Sequence, residues 1–151
     1  MIINESFLFK GIDFRVIKEI AEICHMESHA KDTVLFRKGE DAKSLYIIEK
    51  GTVNLHIHNG TTLISELSNP GEVFGWSSMV ELGRYTAACV CATDLRAVRI
   101  DRDKLNRIFS RYPAEGLKIL KRLAGVFSKR ILSAYGDLLD EGKKETLSSA
   151  G

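Results

Sequence analysis

The chain has little charge of one sign. Its 22 lysines and arginines stand against 20 aspartates and glutamates, leaving a formal net charge of +2. That balance supplies no electrostatic case for nucleic acid or an acidic membrane as partner. Cysteine is scarce and odd in number, three in 151 residues. This excludes a fully paired disulfide framework and fits a reducing cytoplasm. Long apolar runs are missing too: Leu45–Ile48 and Ala87–Ala92 fall far short of the ~20 residues that span a bilayer. The opening MIINESFLFK has no basic flank ahead of an apolar stretch and does not read as a secretion signal. No nucleophile–histidine–acid set, phosphate-binding glycine loop or paired carboxylate is legible, so the chain reads as a non-enzyme. What is present, 44% apolar and 28% charged residues, describes one soluble domain. A domain of this length buries roughly 68–70% of its unfolded surface and needs no metal or disulfide staple.

The apolar periodicity changes twice along the chain. Val16, Ile17, Ile20, Ala21 and Cys24 fall at helical spacing, predicting an amphipathic helix over about Asp13–Met26 with Asp13 as its cap. From Thr33 to Asp101 the period is two. TVLFR (33–37), SLYIIEK (44–50), TVNLHIH (52–58), TTLISEL (61–67), TAACVCA (86–92) and DLRAVRI (94–100) read as strands separated by glycine-containing turns. Asn59-Gly60 predicts a two-residue hairpin. Val53, Leu55 and Ile57 share one face of their strand and Asn54, His56 and His58 the other. So many short strands at this spacing predict a closed β-sandwich or barrel.

Helical spacing returns with Leu105, Ile108 and Phe109, capped by Asp101 or Asp103. Tyr112-Pro113 ends that helix, because the residue before proline is pushed out of the α region, and Pro113 suits the first turn of the next. The last helix is expected over about 113–139, roughly 40 Å long. Leu117, Leu120, Ala124, Phe127, Ile131, Ala134 and Leu138 follow one another at intervals of 3, 4, 3, 4, 3 and 4, a seam for a partner helix and the basis for expecting a homodimer. Ile119, Leu123 and Val126 form a second stripe able to pack on the β-structure. The domain is read as 1–138, and the polar end, 140–151, as a disordered tail.

Two stretches are distinctive: VLFRKGEDAKSLYIIEKGTVNL, and LSNPGEVFGWSSMVELGRYTAACVCATDLRAVRIDRDKL. With Gly39, Gly51 and the Pro70-Gly71-Glu72-Val73-Phe74-Gly75 run, they resemble the cyclic nucleotide-binding domain of the catabolite-activator and Fnr regulators and of protein kinase A regulatory subunits. The resemblance extends from about Phe7 to Tyr135. It implies a mainly β fold, a double-stranded β-helix (a jelly-roll-like β-roll) with an N-terminal helix and a long C-terminal helix. It also implies a regulatory domain whose default ligand is cyclic AMP or cyclic GMP.

In that family a glutamate after Phe-Gly accepts the ribose hydroxyl, and a later arginine pairs with the cyclic phosphate. A guanidinium offers a phosphate two parallel charge-assisted hydrogen bonds. Here Trp76 follows Phe74-Gly75, and the arginine position falls on Tyr85, with Arg84 one residue earlier. One residue changes the face of an extended segment, so which of Arg84 and Tyr85 meets the pocket is open. Trp76 reads either as a stacking platform or as a core plug that closes the pocket. Gly75, Ser77, Ser78 and Thr86 complete the cassette. Arg130 and Ile131 correspond to positions that touch the base in the bacterial activators. Arg130 is read either as a cation replacing the missing cassette arginine or as a solvated flank of the seam. The candidate ligand-binding residues are therefore Gly75, Trp76, Ser77, Ser78, Arg84, Tyr85, Thr86 and Arg130.

Two other readings are carried. One is a scaffold dimer with a non-functional pocket. The other is a haem or gas sensor, for which Cys24, His25 and His29 are the conceivable ligands. Cys89 and Cys91 alternate on one strand and read as small inward residues of the roll rather than as metal ligands. The family's transcription factors carry a helix-turn-helix after the long helix, a module of roughly 60–70 residues. About 13 residues follow Leu138 here, so no DNA-binding module is expected within this sequence.

Overall fold

A computed structural model describes residues 2–57 and 62–150. Among the described residues eight strands form two four-stranded antiparallel sheets, so the mainly β class is as expected. The first sheet orders β1 (Cys24–His29), β8 (Leu95–Asp101), β3 (Ser44–Lys50) and β6 (Val73–Phe74). The second orders β2 (Val34–Phe36), β7 (Ala88–Cys91), β4 (Val53–Ile57) and β5 (Thr62–Leu67). Four helices flank them: α1 (Ile2–Glu5), α2 (Phe14–Ile23), α3 (Arg102–Arg111) and α4 (Pro113–Ala150).

The apolar run of SLYIIEK is explained by burial on both faces of the first sheet. Leu45 and Ile47 of β3 point to a core shared with Val16 and Ile20 of α2, Leu105 and Ile108 of α3, and Ile119 and Leu123 of α4. Tyr46 and Ile48 point the other way, into the roll, where they meet Phe36, Val53, Phe74, Cys89 and Cys91. β8 divides in the same manner, Val98 and Ile100 toward the helices and Leu95 and Ala97 into the roll. A strand covered on both sides loses its polar alternation.

Three boundaries differ from the sequence reading. The first helix stops at Ile23, and Cys24–His29 is a strand paired with β8 from Cys24↔Ile100 to His29↔Leu95. Helical periodicity up to Cys24 is overridden by a free sheet edge that needs a partner. The chain also forms β6 within the Pro-Gly-Glu-Val-Phe-Gly run, paired with β3. The backbone of α4 stays helical to Ala150, where a disordered tail from 140 was expected; the stretch lacks proline and holds helix-favouring Glu, Lys, Leu and Ala. The caps are as read. Asp13 accepts a hydrogen bond from the Arg15 amide, and Asp101 one from the Lys104 amide at 3.0 Å. The Asn59-Gly60 hairpin, with His58, lies outside the described residues. Among the described residues no helix is long and apolar enough to cross a membrane.

Candidate functional site

A cavity of about 250 Å³ lies between the second sheet and α4. Its β-side is built by Phe36, Leu55, Ile57, Ile64, Ser65, Tyr85, Thr86 and Ala87, its rim by Gly75, Trp76 and Ser77, and its α4 wall by Phe127, Arg130 and Ile131. The indole therefore does not close the hollow.

Local sequence explains how each wall is placed. Alternation turns Val53, Leu55 and Ile57 inward on β4, as expected. On β5 the phase is reset by a bulge: Leu55 pairs with Ser65 but His56 pairs with Leu63, leaving Ile64 unpaired. The extra residue lets Ile64 and Ser65, neighbours in sequence, both line the cavity. At the rim, Gly75 adopts φ +74°, and a Cβ there would sit 2.9 Å from the Ser44 carbonyl oxygen and 3.1 Å from the Tyr46 ring. Only glycine meets both conditions, and it starts the short 3-10 turn Trp76–Met79.

Six of the eight sequence-derived candidates meet here: Gly75, Trp76, Ser77, Tyr85, Thr86 and Arg130. Ser78 and Arg84 do not line the cavity. The Ser78 hydroxyl is buried and donates to the Gly75 carbonyl at 2.8 Å, a structural role. Arg84 is exposed and donates to the Gly39 carbonyl at 3.3 Å, beside its bridge to Asp41. The face question is thus resolved for Tyr85, because the one-residue offset sends Arg84 to the outside.

Tyr85 is committed to packing. Its ring stacks on Phe36 with centroids 3.7 Å apart and an 11° tilt, and its hydroxyl donates to the Ser44 carbonyl at 2.9 Å. Tyr46 and Phe74 stack beside them at 4.9 Å. Burial pushes the Tyr85 phenol above its ordinary pKa, so it stays neutral and supplies no charge. Trp76 touches the long helix instead, its ring centroid 4.2 Å from that of Phe127. Ser77 and Thr86 face each other, hydroxyl oxygens 3.4 Å apart.

Arg130 is the cation of this site. Its Nη2 donates to the Val73 carbonyl of β6. Its Nη1 is buried with no partner among the described residues. Desolvation lowers the guanidinium's pKa, while the nearby Glu72 carboxylate works in the opposite direction. Glu72 itself accepts from the Ser68 and Asn69 amides at 3.0 and 2.9 Å. Leaving a donor of a charged group buried and unmade costs more than the ~1–3 kcal/mol of a neutral one.

Most of the apolar lining was missed from the sequence. Phe36, Leu55 and Ile57 are legible as inward strand residues, but nothing local shows that α4 leaves them uncovered. Phe127 and Ile131 do double duty, lying on the helical seam and in the cavity wall. The seam is open: Leu117, Leu120, Phe127 and Ile131 are 54, 38, 38 and 37% exposed, whereas Ile119 and Leu123 of the second stripe are buried. The Ala134 and Leu138 side chains lie outside the described residues. Cys89 and Cys91 are buried in the roll, where burial raises both thiol pKa values. Cys24 donates to the Ile20 carbonyl, and His29 faces Glu27 at 2.9 Å. His25 points outward. Among the described residues no three His, Cys, Asp or Glu side chains converge as a metal site.

Comparison with known proteins adds the lineage. The cyclic nucleotide-binding domain family matches residues 26–112. A cAMP-dependent protein kinase regulatory subunit of Candida albicans is 30% identical over 139 residues, covering 92% of this chain and 26% of that protein. A CRP-like cAMP-activated global transcriptional regulator of Mycobacterium tuberculosis is 25% identical over 141 residues, covering 92% of this chain and 61% of the relative. The chain thus spans about a quarter and three fifths of these two relatives. Among solved structures, a cyclic nucleotide-binding domain from Methylobacillus flagellatus superposes with a TM-score of 0.76 at 22% identity, covering 93% of this chain and 80% of that one. The catabolite activator protein of Thermus thermophilus does so at 0.68 and 22%, covering 87% and 61%. At that identity the superpositions speak for the fold alone. With its β-roll, its Gly75 turn and its match over residues 26–112, the chain belongs to the cyclic nucleotide-binding domain family.

Proposed function

We propose that the protein is a non-enzymatic sensor domain whose ligand sits between the β-roll and α4 and changes how α4 packs. The observation that carries this reading is the composition of the cavity's walls: one is α4 itself, through Phe127, Arg130 and Ile131. An occupant cannot enter without touching the helix, and a ligand that favours one packing of α4 shifts its population. No His, Cys, Asp or Glu lines the cavity among the described residues. That set of walls suits binding rather than bond-breaking.

The output surface is the seam. Phe127 and Ile131 belong both to the cavity and to the exposed stripe with Leu117 and Leu120, so a second copy of the chain docking on α4 is coupled to the ligand site through shared side chains. Cyclic AMP or cyclic GMP is the occupant implied by family membership, and the named relatives are regulators. The donor set differs from the family's, however: Trp76 cannot accept ribose hydroxyl hydrogen bonds, and the Tyr85 hydroxyl is already given to Ser44.

A thermal-shift screen against cyclic nucleotides and small metabolite anions tests the reading. A ligand at a hundredfold excess over its Kd stabilises the folded state by about 2.7 kcal/mol. Ala87→Leu, which fills part of the cavity, should abolish that shift while leaving the far-ultraviolet spectrum unchanged. Absence of any shift across the screen, with α4 still self-associating, would replace the sensor by a scaffold dimer with a non-functional pocket.

A further inference from the structure

We propose that the cavity takes a small organic anion with an apolar body, an alkyl or aryl carboxylate, in preference to a cyclic nucleotide. This rests on the sensor reading above and names the ligand class of the same site. Three observations converge. The interior is walled by Phe36, Leu55, Ile57 and Ile131, which give a hydrocarbon or an aromatic ring a dry surface but offer nothing to a purine's edge or a ribose. At the boundary stands the Arg130 guanidinium, with Nη1 buried and unpartnered among the described residues. Arg130 lines the cavity, and a carboxylate oxygen that the side chain turns to meet converts an unsatisfied cationic donor into a charge-assisted hydrogen bond.

The surrounding charge points the same way. Arg130, Ile64 and Ser65 line both this cavity and an adjoining groove, whose walls add Arg122 and Lys129 against the single carboxylate of Glu72. The groove therefore presents positive potential at the cavity's edge, and clefts of one sign draw in the opposite ion. The anionic head lies at Arg130, and the apolar body extends toward Leu55 and Ile57. A cyclic nucleotide fits this division poorly. It carries polar groups along its whole length, while most of the lining, including Phe36, Leu55, Ile57, Ile64, Ala87 and Ile131, is apolar.

Trp76 is the sole tryptophan of the chain and borders the cavity, so its fluorescence reports occupancy directly. The probes are hexanoate, octanoate and phenylacetate, the corresponding amides, and 3′,5′-cyclic AMP, titrated into the full chain with a parallel thermal-shift measurement. Carboxylates are expected to bind at least tenfold more tightly than their amides. Each added methylene should strengthen binding by about fourfold until the cavity is full. Arg130→Gln should erase the preference for acid over amide, and Arg130→Lys should retain part of it. Amides that match their acids in wild-type protein would overturn the proposal without recourse to any variant. Cyclic AMP binding more tightly than every carboxylate would overturn the ligand class while leaving the sensor reading intact. No response to any probe, in fluorescence or melting, would overturn both.

Discussion

Gly75 and Tyr85 show how far single residues define this site. Gly75 sits at φ +74° with its missing Cβ facing the Ser44 carbonyl. Gly75→Ala should therefore cost about 2 kcal/mol, combining left-handed strain with the close contact. A Tm lowered by roughly 4–8 °C in differential scanning calorimetry would register it. Tyr85→Phe keeps the stack on Phe36 and removes the bond to Ser44, so a smaller loss of about 1 kcal/mol is expected in urea melts. The glycine is legible as Phe74-Gly75 in the sequence. The role of the tyrosine is not, because the choice between Arg84 and Tyr85 depends on which face the segment turns inward. Trp76 does not act as the core plug that would close the pocket. It packs on Phe127, yet it leaves the cavity open.

Elements meet through close approaches and caps. α3 and α4 touch where Gly116 lies against Phe109: an added Cβ would be 2.9 Å from the Phe109 Cβ. Gly116→Ala should push the two helices apart and lower stability by about 1–3 kcal/mol, an overpacking effect visible as a reduced midpoint in urea. The Asp101 cap adds a pH signature. The Lys104 amide, hydrogen-bonded to the Asp101 carboxylate, holds its pKa below the ordinary value. A lowered folded pKa means stability that is present above the unfolded pKa of about 3.9 and lost as pH falls through the folded one. Wild type should exceed Asp101→Ala by about 1 kcal/mol near neutrality, with a gap that narrows in urea melts below about pH 4. At this scale strand alternation is readable wherever one face is wet, as on β4, and unreadable at β1, where pairing with β8 decides the conformation.

The whole molecule joins two surfaces through one helix. α4 contributes Ile119 and Leu123 to the helical core, Phe127, Arg130 and Ile131 to the cavity, and Leu117 and Leu120 to the open seam. If the seam pairs with a second copy, Leu120→Glu should convert a dimer to monomer in sedimentation velocity while leaving the monomer's melting cooperative. Sedimentation of that variant as wild type would remove the seam from the function. Ligand and seam share Phe127, so Phe127→Ala should weaken both ligand binding and self-association, whereas Leu120→Glu should affect chiefly the latter.

The sequence alone determined the repertoire of elements: period-two runs closed by glycine turns, two capped helices, and a long helix with apolar stripes on two sides. It also carried the family wording and the substitutions at Trp76 and Tyr85, since these are local facts of residue order. Tertiary structure decided what order along the chain cannot encode. It sent Arg84 outward and Tyr85 into the aromatic stack, turned Cys24–His29 into a sheet edge, and brought Arg130 to the Val73 carbonyl across 57 residues. The reason is physical: propensity and periodicity act over a few residues, whereas the burial of a guanidinium is set by surfaces that meet only when helix and roll pack together.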